Sequence, residues 1–181
     1  MQVPRAVLLS VLAAALVAVI LLAMQRELTP RAAVAPMMFW QGMPQQVALN
    51  ADEEAYAEAL WPIHSEAVET SAVAMSFAGV SYVTEHHDAQ RLAAKVLPLN
   101  ETFRAAAGKA RALTVPPSMQ KVHDQYLEAV TLFEHASAEM AKVGDDGKLE
   151  HLIEAQSMSQ RAAEDLLKVG DVLWPGEHKP N

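Results

Sequence analysis

Residues 88–113 read DAQRLAAKVLPLNETFRAAAGKARAL. Leu92, Val96, Leu99, Phe103, Ala106, Ala110 and Leu113 recur in steps of four and three, the spacing of one apolar face on an α-helix. Asp88 stands at the start of the run and Pro98 interrupts it early. A helix of this length with one buried face needs partners for that face, and three further stretches of the chain have the same character.

Upstream, Asn50 is placed to cap a helix whose first turn holds Asp52, Glu53 and Glu54, where the helix dipole favours acids. Its expected seam is Tyr56, Leu60, Ile63, Ala67, Thr70, Ala74 and Phe77, with Pro62 kinking or restarting the helix. Downstream, Val115-Pro116-Pro117-Ser118 ends the second helix and opens a third, because a residue before proline avoids the α region and proline suits a first helical turn. The third seam is Met119, Val122, Tyr126, Val130, Phe133, Ser137 and Met140. Gly144-Asp145-Asp146-Gly147 reads as a tight polar turn, and a fourth helix follows from about Lys148 to Leu173. Its inward residues are expected to be Leu149, Leu152, Ala163, Leu166 and Leu173, with Trp174-Pro175-Gly176 stopping it. Short connections between amphipathic helices favour antiparallel neighbours. The expected fold is all-α: an up-down-up-down four-helix bundle over residues 51–174, followed by a tail at 175–181.

The N-terminal part is different. Residues 6–24, AVLLSVLAAALVAVILLAM, contain no charge, no proline and no glycine. At ~1.5 Å per residue a helix of this length spans the hydrocarbon core of a bilayer, so residues 1–24 are expected to form a single transmembrane anchor. The apolar run is longer than that of a secretory signal, and the Ala33-Val34-Ala35 pattern lies well past its end, which favours an uncleaved anchor. Residues 25–50 read as a linker broken by Pro30, Pro36 and Pro44, with an apolar knot of Met37, Met38, Phe39, Trp40 and Met43. Three readings of the knot stay open: packing on the base of the bundle, an anchor at the lipid headgroups, or a peptide docking on a partner. These five residues are the candidate partner or membrane contact.

Charge and composition exclude several function classes. Residues 51–181 carry 11 Lys and Arg against 21 Asp and Glu, and such an acidic body repels phosphate backbones, so no nucleic-acid partner is expected. There is no cysteine, which removes disulfides, thiolate nucleophiles and thioether haem attachment. Dimetal bundles carry Glu-x-x-His pairs, yet none of the seven histidines has a glutamate three residues before it. No G-x-S-x-G and no phosphate-cradling glycine loop is present. Met75, Met140 and Met158 fall near seams beside His64 and His123, but methionine at helical spacing is core filler first. No catalytic residue, cofactor or metal ligand is assigned on these grounds.

The run Val115-Pro116-Pro117, His123, Tyr126-Leu127, Ala129, Gly144-Asp145 and Leu149 resembles a pattern found in uncharacterised bacterial membrane-anchored or exported helical proteins. The resemblance implies the bundle fold and brings no catalytic residues with it. The resulting expectation is a non-enzymatic accessory subunit, anchored in a bacterial inner membrane with a periplasmic body. It would contact lipid and other subunits while bracing the extrinsic face of a larger complex. Energy-transducing assemblies, photosynthetic reaction-centre–antenna or respiratory, are the examples considered. The alternative is an exported module that senses a ligand or a metal, copper or haem.

Overall fold

The computed structural model describes residues 48–85 and 87–175. Every regular element among them is helical. Helix α1 (Ala51–Pro62), a π-helical stretch (Ile63–Glu69) and α2 (Thr70–Thr84) follow without a break as one rod. Then come α3 (Ala89–Arg111), a 3-10 turn (Pro117–Met119) leading into α4 (Gln120–Ala141), the single turn α5 (Val143–Asp146), and α6 (Glu150–Leu173).

The rod begins where Asn50 was expected to cap it. The Asn50 Oδ1 accepts from the N–H groups of Asp52 at 3.0 Å and Glu53 at 3.1 Å, and the Glu53 carboxylate accepts from Asn50 N–H at 2.9 Å. The other Glu53 oxygen accepts from the Ser118 hydroxyl at 2.6 Å, which ties the start of the rod to the start of α4. Asp88 caps α3 by accepting from Arg91 N–H at 2.9 Å.

The rod departs from its expected register. Tyr56 and Leu60 are buried as the spacing predicts, but the seam then continues through Val68, Ser71, Met75, Ala78 and Tyr82. The first four lie one residue later than the expected Ala67, Thr70, Ala74 and Phe77. The π-helical stretch accounts for the shift, since a turn closed by i→i+5 bonds takes up one extra residue. Pro62, immediately before it, has no N–H to continue the α ladder. The Ser65 hydroxyl donates to Trp61 O at 3.0 Å and the Thr70 hydroxyl to Ser65 O at 3.1 Å, so side chains satisfy carbonyls in the loosened turn. Phe77, expected inside, is 62% exposed.

The remaining helices need smaller corrections. Pro98 does not interrupt α3, which stays α-helical across it, with the ring and the preceding Ala94 on the exposed side where water can reach the freed carbonyl. Asn100, a polar residue missing from the expected seam, is buried and bolts α3 to α4: its Nδ2 donates to Glu134 O at 2.7 Å and to Ser137 Oγ at 3.0 Å. On α6, Leu152, Ala155, Ala162, Val169 and Leu173 are buried in heptad steps, while the expected Ala163 faces solvent. The polar turn at 144–147 is the helical turn α5, ended by Gly147 in the left-handed region at φ 70°.

The four long elements alternate in direction. The rod and α4 both start at the end where α6 finishes, as the bond from Trp174 Nε1 to Ala57 O shows. At the other end Gln90 Nε2 donates to Gly144 O at 2.7 Å. Helix α3 packs along the rod and along α4, and α6 packs along α4. Helix α6 approaches the rod less closely and meets it through the aromatic side chains described below. Among the described residues no helix is long and apolar enough to cross a membrane. The expected span at 6–24 lies outside the described residues.

Candidate functional site

Where α6 closes onto the rod, six large side chains gather: Tyr56, Trp61 and His64 from the rod, His123 and Tyr126 from α4, and Trp174 just after α6. Trp174 is buried, and its Nε1–H donates to Ala57 O at 3.2 Å. Its indole stacks on the His64 ring, centroids 4.9 Å apart at 22°, and meets Trp61 edge to face at 5.1 Å. His64 also meets Tyr126 edge-on at 6.0 Å.

His64, near the start of the π-helical stretch, follows Leu60 by four residues on the same face, with Ile63 also packed against the core. The imidazole therefore turns into the bundle, and burial holds it neutral by pulling its pKa down to about 4. The Tyr56 hydroxyl and His123 Nδ1 are hydrogen-bonded at 2.9 Å, and both side chains are buried. Burial, and then the Asp124 carboxylate, push the Tyr56 phenol up to about 12. Burial also pulls His123 down, against the pull of Asp124. Tyr126 is fully buried, and desolvation with the nearby Tyr56 phenol raises its pKa further. Two polar atoms of the cluster, His64 Nδ1 and the Tyr126 hydroxyl, are buried with no hydrogen-bond partner among the described residues. Such atoms are rare in native interiors, because each costs ~1–3 kcal/mol.

A second polar group holds the opposite end. The Glu139 carboxylate accepts from Lys142 Nζ and from His151 Nδ1, each at 2.6 Å, and His151 Nε2 lies 3.4 Å from Asp146. These contacts raise the His151 pKa, with the Glu139 bond the largest cause. Two surface openings lie among the described residues away from these groups. A crevice between α2 and α3 has room for about 20 Å³, and an open groove of about 510 Å³ runs over Leu127, Leu132 and His135 between Arg111 and Arg161.

The candidate contact residues Met37, Met38, Phe39, Trp40 and Met43 lie outside the described residues. Met75 and Met140 are core, with the Met140 methyl group 3.5 Å from where a Cβ on Gly79 would sit. His87 and His135 are exposed and apart from the cluster. Sequence reasoning noted His64 and His123 but took Trp174 as part of a helix stop and Tyr56 and Tyr126 as seam residues. One signal was available: Leu-Trp-Pro occurs at 60–62 and again at 173–175, and the fold brings the two tryptophans together. No protein-family model matches the chain, and no curated protein or solved structure matches it.

Proposed function

We propose that this chain is a non-catalytic accessory subunit of a larger bacterial membrane complex, tethered by residues 6–24 with its bundle bracing the extrinsic, periplasmic face. Photosynthetic or respiratory assemblies are the setting in which such a subunit would serve. One observation carries the reading. Helix α2, Thr70–Thr84, contains no charged residue, yet the π-helical register shift leaves Phe77 and Val73 outward, 62% and 50% exposed. A helix apolar on both faces is normally covered on both, and in this acidic body such a stripe suits a protein neighbour. Solubilising native membranes in mild detergent and sizing the tagged chain tests it. Co-migration with other subunits, weakened by Phe77→Glu, is the expected result. Migration as a lone monomer ends the proposal.

A second reading, an exported ligand- or metal-binding module, is favoured by the unpartnered His64 Nδ1 and Tyr126 hydroxyl. Metal analysis of the purified chain separates the two.

A further inference from the structure

Helix α2 carries a second seam. Ser71, Met75, Ala78 and Tyr82 face the core. On another side Thr70, Val73, Phe77, Val80 and Thr84 recur in steps of three and four, the a and d spacing of a helix that pairs with a second helix. At about 100° per residue these five positions fall within an arc of roughly 80°, centred about 150° from the buried set. Val73, Phe77 and the two threonines are exposed, and Val80 is half-buried outside the core. Exposed acids, Glu69 and Glu85, close the stripe at its two ends.

We propose that this stripe is a self-association face, on which α2 of a second copy of the chain packs antiparallel. Residues 51–181 hold 11 Lys and Arg against 21 Asp and Glu, so two copies repel and can meet only where no charge has to leave water. Among the described residues α2 is the one α-helix without a charged side chain. With a positions facing d positions, Phe77 lies against Val73 of the second copy and Thr70 against its Val80. The one large side chain of the stripe thus always meets a small one. The flanking acids and the helix dipole set the direction. In this register Glu69 faces Ser81 of the second copy, whereas a parallel pair sets Glu69 against Glu69 and Glu85 against Glu85. Antiparallel helices also oppose their macrodipoles. Area sets the strength. A helix of 15 residues is about 22 Å long, and a stripe ~10 Å wide along it offers roughly 220 Å² per copy. A stable complex buries ~800 Å² per partner, so this pairing is reversible, with a dissociation constant on the order of 10–100 µM.

The inference names the partner of the stripe on which the proposed function rests, and the two fail separately. The test uses the full chain purified in mild detergent, sedimented at concentrations from about 1 µM to about 500 µM. A monomer–dimer equilibrium is expected, tightened by salt, which screens the repulsion between the acidic bodies. Phe77→Glu should weaken it at least ~30-fold, and Leu167→Glu, at an exposed position on α6, should leave it unchanged. The chain contains no cysteine, so introduced thiols report on this face alone. Thr70→Cys mixed with Val80→Cys should cross-link on oxidation with diamide. Thr70→Cys by itself should not, because its two thiols lie about 15 Å apart along the antiparallel pair. A chain that stays monomeric over this range overturns the proposal, and so does a dimer that Phe77→Glu leaves intact. Thr70→Cys cross-linked to itself overturns the antiparallel arrangement. A purified monomer that co-migrates with other subunits through Phe77 in native membranes gives the stripe to a different protein, which ends self-association and leaves the subunit reading standing. A Phe77-dependent dimer with no co-migrating subunit supports self-association and ends the subunit reading.

Discussion

The His64 imidazole lies nearly parallel to the Trp174 indole, ring centroids 4.9 Å apart and planes inclined by 22°. This stack joins residues 110 positions apart in sequence and supplies much of what holds the end of α6 against the rod. Aromatic contacts of this kind add ~0.5–1.5 kcal/mol beyond the area they bury. Trp174→Ala removes the stack, the edge contact with Trp61 and the bond to Ala57 O together. A loss of ~3–5 kcal/mol in unfolding free energy is expected by urea titration, and Trp174→Phe, which keeps a ring, should lose less.

His64 should make the bundle acid-sensitive. Burial holds its pKa near 4, below the value of about 6.5 for an unperturbed histidine. Between these two pH values the unfolded chain binds a proton that the folded chain does not. Stability therefore falls as pH drops from about 6.5 towards 4, by an amount on the order of 3 kcal/mol. Urea titrations at pH 7 and pH 5 should show the loss, and His64→Phe should abolish most of that difference. An unchanged pH slope in the variant would contradict the assignment.

His151 should act in the opposite sense. Its folded pKa is raised by the bonds to Glu139 and Asp146, so its contribution is fully present below the unfolded value and is lost as pH rises through the folded one. Lys142, Lys148, Glu150 and Glu154 are the other charged groups around this network. In an NMR titration the His151 ring should titrate above the value of about 6.5 for an unperturbed histidine, and Glu139→Gln should bring it down.

Gly144 packs where a side chain does not fit. A Cβ there would lie 2.7 Å from Ala93 Cβ, so Gly144→Ala must push α5 off α3. A loss of ~1–3 kcal/mol is expected. Adding Ala93→Gly should recover most of it, and thermal unfolding of the single and double variants measures the coupling.

Asn100 is the polar bolt of the core. Its amide donates to Glu134 O and Ser137 Oγ, and its Oδ1 accepts from Arg104 at 3.1 Å. Asn100→Ala leaves the buried Ser137 without that donor and should cost ~1–3 kcal/mol. Pairing it with Ser137→Ala should restore part of the loss. Independent, additive effects in the double-variant cycle would show that the bond contributes nothing specific.

The sequence by itself determined the helical class, the number of long helices, the cap at Asn50, the start of α3 near Asp88, and most of the seams on α3 and α4. These follow from local rules: apolar spacing, proline geometry and side-chain capping act over a few residues and are legible in any stretch that obeys a 3.6-residue period. Only the tertiary structure decided the rest. One extra residue in the turn after Pro62 rotated every later seam position of the rod. That rotation took Phe77 to the surface. No local pattern distinguishes an α turn from a π turn, because the choice depends on how the two ends of the rod pack on α3 and α4. The meeting of His64 with Trp174, and of Tyr56 with His123, depends on chain segments that only the closed bundle brings together.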